Sequence, residues 1–375
     1  MIFRACTLPH RAPLSPRPLP AQRPLGAVIS QSAGAVLVAA LLVGCERGGS
    51  APATQRSAQG SAQGSAQGGA QGSSTSEARP WLIATSSYPL YDLARALTHN
   101  LRGVEVSLAT PPGEDPAAWA PSDEALALYQ RADLVALNGA AFEAWEALVS
   151  LPPSRTLHTA QGFEGSWLRY EAQGTHSHGP QGAHSHEGVD GHTWLDPLLA
   201  AEQAAALCAA IERARPALAA QARGNLAALT EALKGLHAEW EALAPALRQR
   251  RLIAAHPAYN YLKRRHALPL VSLDLDPEEA PGAAQRVAVE ALLEGVEGEA
   301  LLWWESPPSA AALEGLRGLR LRHVVVSPVE SAPAEGGYLD AARANVRRLR
   351  DALALPSPSP SPSPDAPPSP SMGAK

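Results

Sequence analysis

Five of the chain's twelve histidines fall within residues 174–197: His176, His178, His184, His186 and His192. Glycine, proline and serine separate the first four, so neither a helix nor a core strand is expected there. Imidazole is the commonest borderline metal ligand, and a loop of this kind lets several rings turn towards one ion. A solvated polar loop of biased composition is the plain alternative. Two His-x-His pairs so close together favour contact with a metal.

Elements able to position such a loop lie on both sides of it. Residues 81–85 read as a short buried strand and 86–100 as a helix with Leu90, Leu93, Ala94 and Leu97 on one stripe. Residues 104–108 and 134–137 are further strands. The prolines and glycine of 111–121 make a loop. Ser122 can cap the next helix, with Asp123 and Glu124 in its first turn. Beyond the histidines, 198–214 is helical and Pro216 interrupts it. Then Leu226, Leu229, Leu233, Leu236, Trp240, Leu243 and Leu247 recur at steps of three or four, all on one helix face. Such a helix is about 40 Å long, and Pro245 should bend or end it. Laid across two lobes, it explains the α/β segments on either side better than a coiled coil does.

Those later segments are strands at 252–255, 270–273, 300–304 and 324–326, with a closing helix at 340–353. His256 follows the first of these strands and Glu305 the third. Alternating strands and helices argue for parallel sheets, and open parallel sheets bind ligands at their carboxyl edge. Two ligand-type residues at equivalent strand ends, with a histidine-rich loop from the other lobe, point to one shared ion. The bland alternative for Glu305 is a carboxylate at a helix N-terminus before Pro307 and Pro308.

Composition bounds the rest. Charged residues make up 18% and the net charge is -5, so no basic footprint for nucleic acid exists. Arg4, Arg11, Arg17 and Arg23 precede an apolar run at 33–43 that is too short to span a bilayer. It ends in Leu42-Val43-Gly44-Cys45, which resembles a bacterial lipobox, so Cys45 is the expected site of lipidation. Cys208 is then left without a disulfide partner and is expected to be a small buried apolar residue. Residues 57–72 hold SAQG three times and then GAQG; the linker they belong to has a reach of about 30 Å. The expected organisation is a signal peptide with lipobox at 1–45 and a disordered linker at 46–79. An N-terminal α/β lobe at 80–215 carries the His-rich loop at 174–192. A connecting helix at 216–250 leads to a C-terminal α/β lobe at 251–355. A Ser/Pro-rich tail at 356–375 tends to polyproline II.

With these residues assembled, the chain resembles the zinc/manganese ABC-transporter substrate-binding proteins over about residues 81–353. The resemblance implies two α/β lobes joined by one long helix, with the metal in the cleft between them. In that family a histidine follows Gly-x-Asp-Pro; here Gly113-Glu114-Asp115-Pro116 is followed by Ala117. A second ligand precedes Trp-Leu-Asp-Pro, which fits His192 before Thr193-Trp194-Leu195-Asp196-Pro197. A third follows the first strand of the second lobe, which fits His256-Pro257-Ala258-Tyr259-Asn260-Tyr261. The fourth is often an aspartate before proline, where this chain has Ser327-Pro328. The loop could then replace the missing histidine, and Glu305 the missing aspartate.

The resulting expectation is a closed site of His192, His256, Glu305 and one loop histidine: His178, or alternatively His176, His184 or His186. Three nitrogens and one carboxylate suit tetrahedral Zn²⁺, with Mn²⁺ second. Coordination needs neutral imidazole, so affinity should fall below about pH 6–6.5. The implied partners are a metal ABC permease with its ATPase, and a membrane reached through the lipid on Cys45. The implied location is the periplasm or cell surface, and the implied state a monomer. A periplasmic metallochaperone or buffering lipoprotein without a permease would use the same ligands. An adhesin-like surface role is permitted by the tail but demanded by nothing. No HExxH occurs and no carboxylate sits beside a histidine pair as general base, so an enzyme is not expected.

Overall fold

The computed structural model describes residues 79–170, 174–177, 183–186 and 188–355. In chain order, β1 (Trp81–Thr85), α1 (Tyr88–Leu97), β2 (Val104–Leu108), α2 (Asp123–Arg131), β3 (Leu134–Leu137) and β4 (Thr156–His158) come first. They are followed by β5 (Leu168–Arg169), β6 (Gly174–Ser177), β7 (Ala183–His186), β8 (Val189–Asp190), α3 (Pro197–Ala214) and α4 (Ala219–Leu247). The second half holds β9 (Leu252–Ala254), α5 (Asn260–His266), β10 (Leu270–Ser272), α6 (Ala283–Leu293), β11 (Ala300–Trp304), α7 (Ala310–Gly315), β12 (Leu321–Val325) and α8 (Tyr338–Ala352).

Two four-stranded sheets result, β2-β1-β3-β4 and β10-β9-β11-β12, every pair within them parallel. Each sheet with its helices is one α/β lobe. Their strand orders correspond one to one. In each, the central strands are covered on both faces, so they read as unbroken apolar runs such as Ala300-Leu301-Leu302-Trp303-Trp304.

The pleat sends alternate residues to opposite faces. Trp81 and Ile83 of β1, and Leu252, Ala254, Leu301 and Trp303 of the second sheet, all join one continuous apolar cluster with α1, α3, α4 and α8. Leu82, Ala84, Val135 and Leu137 face a separate outer cluster with α2 and Trp145. Ile253, Ala255, Leu302 and Trp304 face a third with α6 and α7. The two sheets therefore share a single central layer.

The backbone of that layer is α4, whose Leu229, Leu233, Leu236, Trp240, Leu243 and Leu247 are buried. Its 29 residues span about 44 Å at 1.5 Å each. Pro245 does not end it: the helix continues to Leu247. The helix expected at 86–100 is shorter, because Thr98 closes it by donating its hydroxyl to the Ala94 carbonyl at 2.8 Å. Ser122 caps α2 as expected, its Oγ accepting from the Ala125 amide. Cys208 is buried on α3, and burial with a neighbouring Glu212 pushes its thiol up to about 11.

The histidine-rich stretch is inserted between β5 and β8, which pair antiparallel. It contains a second ribbon, β6 with β7, in which His176 stands opposite His184 and Gly174 opposite His186. That ribbon pairs with neither large sheet, in keeping with the expectation that no core strand forms there. Among the described residues no helix is long and apolar enough to cross a membrane.

Because both sheets lean on one layer, Leu233→Ala, at a fully buried position of α4, should destabilise the protein by about 2–5 kcal/mol. Both lobes should still unfold together. Denaturation followed by tryptophan fluorescence and by far-ultraviolet circular dichroism should give coincident transitions; two separated transitions would contradict a shared core.

Candidate metal site

Parallel topology brings the carboxyl ends of both sheets to one cleft. His256 stands two residues past β9, Glu305 directly past β11, and Glu330 five residues past β12. The first lobe contributes His192 from the turn after β8. His192 and His256 are buried, and their rings lie 5.7 Å apart, edge to face. One ligand-type atom from each of His192, His256 and Glu330 lies within 4.8 Å of the others. Glu305 Oε2 is 3.1 Å from His256 Nδ1.

The turn that presents His192 is fixed from several directions. Asp190, fully buried, accepts from the His192 amide at 2.9 Å and from its Nδ1 at 2.8 Å. Tyr170 and Asn260 also donate to that carboxylate, at 3.3 and 3.0 Å. Such an outer partner sets the ring's orientation and leaves Nε2 for the cleft. Gly191 is required before it: a Cβ there would stand 2.6 Å from the Phe142 Cβ.

The Trp-Leu-Asp-Pro run serves as an anchor across the lobes. Trp194 donates from Nε1 to the Pro328 carbonyl at 2.8 Å, and Tyr338 donates its hydroxyl to the Trp194 carbonyl. Asp196 caps α3 by accepting from the Leu198 amide at 3.0 Å. Its other oxygen holds Arg265 of α5 at 2.7 Å. Pro197 takes the first helical position, where a missing amide is harmless.

His192 Nε2 is 2.7 Å from Glu330 Oε1. An imidazole flanked by two carboxylate acceptors donates from both nitrogens and so carries both protons. Burial alone would lower its pKa; the hydrogen bonds to Asp190 and Glu330 outweigh burial and raise it to about 10. Held this way, the imidazolium stabilises the fold fully below the unfolded value near 6.5. That contribution is lost as pH rises through about 10.

The other sequence-stated positions separate clearly. Ala117, where the resembling family has histidine, packs against the central core, its amide donating to Asp115 Oδ1 at 2.9 Å. Ser327 uses its hydroxyl to accept from the Val329 amide at 3.1 Å. His176, His184 and His186 are described only as backbone in the ribbon; His178 and Cys45 lie outside the described residues. Glu330 was not singled out from sequence. It follows Val329, buried with a left-handed φ of 60°, a costly conformation for a β-branched residue. The available signal was an acid shortly after the last strand of a parallel sheet. Glu114, Asp115, Asp276 and Glu278 join Glu305 and Glu330 around the cavity at the cleft mouth, a field that concentrates cations.

Comparison with known proteins bears on the family and the fold. Residues 83–352 match the family described as "Zinc-uptake complex component A periplasmic". The chain belongs to this family. It is 24% identical over 278 residues to the zinc-binding lipoprotein AdcA of Streptococcus pneumoniae, covering 72% of this chain and 55% of that protein. The chain thus spans about half the length of that relative. It is 24% identical over 294 residues to the high-affinity zinc uptake system protein ZnuA of Bacillus subtilis, covering 75% of this chain and 90% of that protein. Among solved structures, the metal-dependent lipoprotein YcdH of Bacillus subtilis superposes with a TM-score of 0.59 at 21% identity, over 72% of this chain and 98% of that one. Zn(II)-bound AdcA of Streptococcus pneumoniae gives 0.59 at 21% identity, over 75% and 59%. These likenesses establish the two-lobed fold.

Gly191→Ala should displace the turn that carries His192. The expected result is a fall in melting temperature together with a loss of metal affinity of about 10- to 100-fold, the range for a disturbed outer partner. Thermal scans and a competition titration measure both, and unchanged affinity would show that the turn tolerates the added methyl.

Proposed function

We propose that this protein captures Zn²⁺ in the cleft and passes it to a membrane permease powered by an ATPase. The observation that carries the reading is the convergence of His192, His256 and Glu330, from both lobes, within reach of one ion. Family membership supports zinc as cargo. A four-coordinate Zn²⁺ at about 2.0–2.1 Å from each ligand suits two imidazoles and a carboxylate. Mn²⁺ prefers more oxygen and ranks second.

In this reading Glu330 is the third ligand. Glu305, bonded to His256 Nδ1, either orients that ring or closes the shell. A loop histidine, His178 or its neighbours His176, His184 and His186, is the other candidate for the fourth position. Ligand closure leaves no water poised for attack, which suits carriage and not hydrolysis. The proposed organisation keeps the lobe boundaries at 80–215 and 251–355 with 216–250 between them. The diacylglycerol on Cys45 and the linker after it would hold a monomer at the membrane surface, facing the periplasm or exterior.

Zinc must exchange for the proton on His192. Affinity should therefore fall with acid throughout the range below about 10, and not only below the ordinary histidine value. Calorimetry in buffers of different ionisation enthalpy should report proton release on zinc binding at pH 7.5. No release would mean that His192 is not the ligand.

Equilibrium dialysis tests the site directly. His192→Ala, His256→Ala and Glu330→Gln should each abolish tight zinc retention. Glu305→Gln should cost about 10- to 100-fold if it orients His256. Full retention in both histidine variants would remove the site. Deleting residues 175–187 should slow capture at low zinc while leaving equilibrium affinity intact if the loop only collects ions; collapse of tight binding would instead place a ligand in the loop.

A further inference from the structure

A second group of ligand-type side chains lies away from the cleft. His237 and Glu241 are four residues apart on α4 and so leave it on one face. His266 is the last residue of α5, where Ala267 turns the chain with a left-handed φ of 49°. The rings of His237 and His266 are 5.4 Å apart. His266 Nδ1 is 2.8 Å from Glu241 Oε1. One ligand-type atom from each of the three lies within 4.8 Å of the others.

A simple bridge between α4 and α5 would account for Glu241 and His266 but not for His237. The His237 Nδ1 is buried and has no hydrogen-bond partner among the described residues. A buried, unpartnered imidazole nitrogen costs stability unless it has a use. His266 is 1% exposed and stacks on Trp240 at 5.9 Å, whereas the Glu241 side chain is 53% exposed. The cluster thus has a dry inner wall and an opening to solvent, like a pocket that an ion enters from one side.

We propose that His237, Glu241 and His266 form a second site for a borderline divalent cation, Zn²⁺ or a neighbour such as Cu²⁺ or Ni²⁺. Two imidazoles and one carboxylate suit these ions, with water completing the shell. The site binds more weakly than the cleft, because its carboxylate is half in water. Its ligands come from the long helix and from the second lobe, so an ion there cross-links α4 to α5 without touching the cleft.

The test uses the full chain with the cleft saturated in zinc. Crystals soaked in zinc and measured at the zinc absorption edge should show an anomalous peak among the three side chains; no peak there at millimolar zinc overturns the site. In dialysis at saturating zinc, the native chain should retain one equivalent more than His237→Ala/Glu241→Gln, with equal cleft affinity. The histidine-rich stretch is common to both and cancels. Equal stoichiometry overturns the proposal. If the double variant does not fold, Glu241→Gln alone, at a half-exposed position, should weaken the second class of sites at least about tenfold, and an unchanged isotherm overturns the proposal equally.

Discussion

The structure depends on one constraint: both sheets must bury an inner face, and one layer of helices serves both. Trp81 and Ile83 from one sheet and Leu252, Ala254 and Trp303 from the other belong to the same apolar cluster. Moving one sheet against the other would open that layer to water, at about 25 cal/mol for each Å² exposed. The relative position of the strand ends is therefore fixed by hydrophobic burial, and site geometry follows from it. Hydrogen bonds across the lobes refine this placement. Tyr261 donates to the Asp190 carbonyl at 2.9 Å, and Arg265 holds Asp196. Both first-lobe partners flank His192.

Within that frame the site is an exercise in desolvated charge. Asp190 is fully buried and collects donors from Tyr170, His192 and Asn260. A buried carboxylate whose oxygens are all engaged in this way orients a single ring. Glu330, by contrast, faces His192 from the cleft side. The pair of acids differs in setting: Asp190 is fully buried and locked into the protein, and Glu330 is partly exposed and opens on the cleft.

Much of this was legible from residue order. The steps of three and four from Leu226 to Leu247 place the long helix, and apolar quartets place the central strands of both sheets. His192 and His256 are readable because each has a distinctive neighbourhood, Trp-Leu-Asp-Pro and Pro-Ala-Tyr-Asn-Tyr. The Asp-Pro part has a local physical role, since Asp196 caps α3 and Pro197 opens it. Glu330 was illegible for the opposite reason. It sits in an irregular segment whose path is set by the left-handed Val329 and the Ser327 hydroxyl, and neither has a periodic signature. The short strand β4 was missed because Thr156-Leu157-His158 is half-buried and barely apolar. The helices α6 and α7 were not read from the sequence; with 11 and 6 residues they are too short for a long repeat such as that of α4.

The acidic rim has a consequence of its own. At the carboxyl edge of a parallel sheet, following helices begin, and their free amides give the edge a positive electrostatic character. Such architecture is by default hospitable to phosphates and other anions. Here α1 starts three residues past β1, and a helical turn starts at Pro257 directly after His256. Six carboxylates, Glu114, Asp115, Asp276, Glu278, Glu305 and Glu330, surround the same opening. They reverse the sign that the backbone dipoles would impose. The negative charge at this opening is thus supplied by side chains, against the grain of the fold.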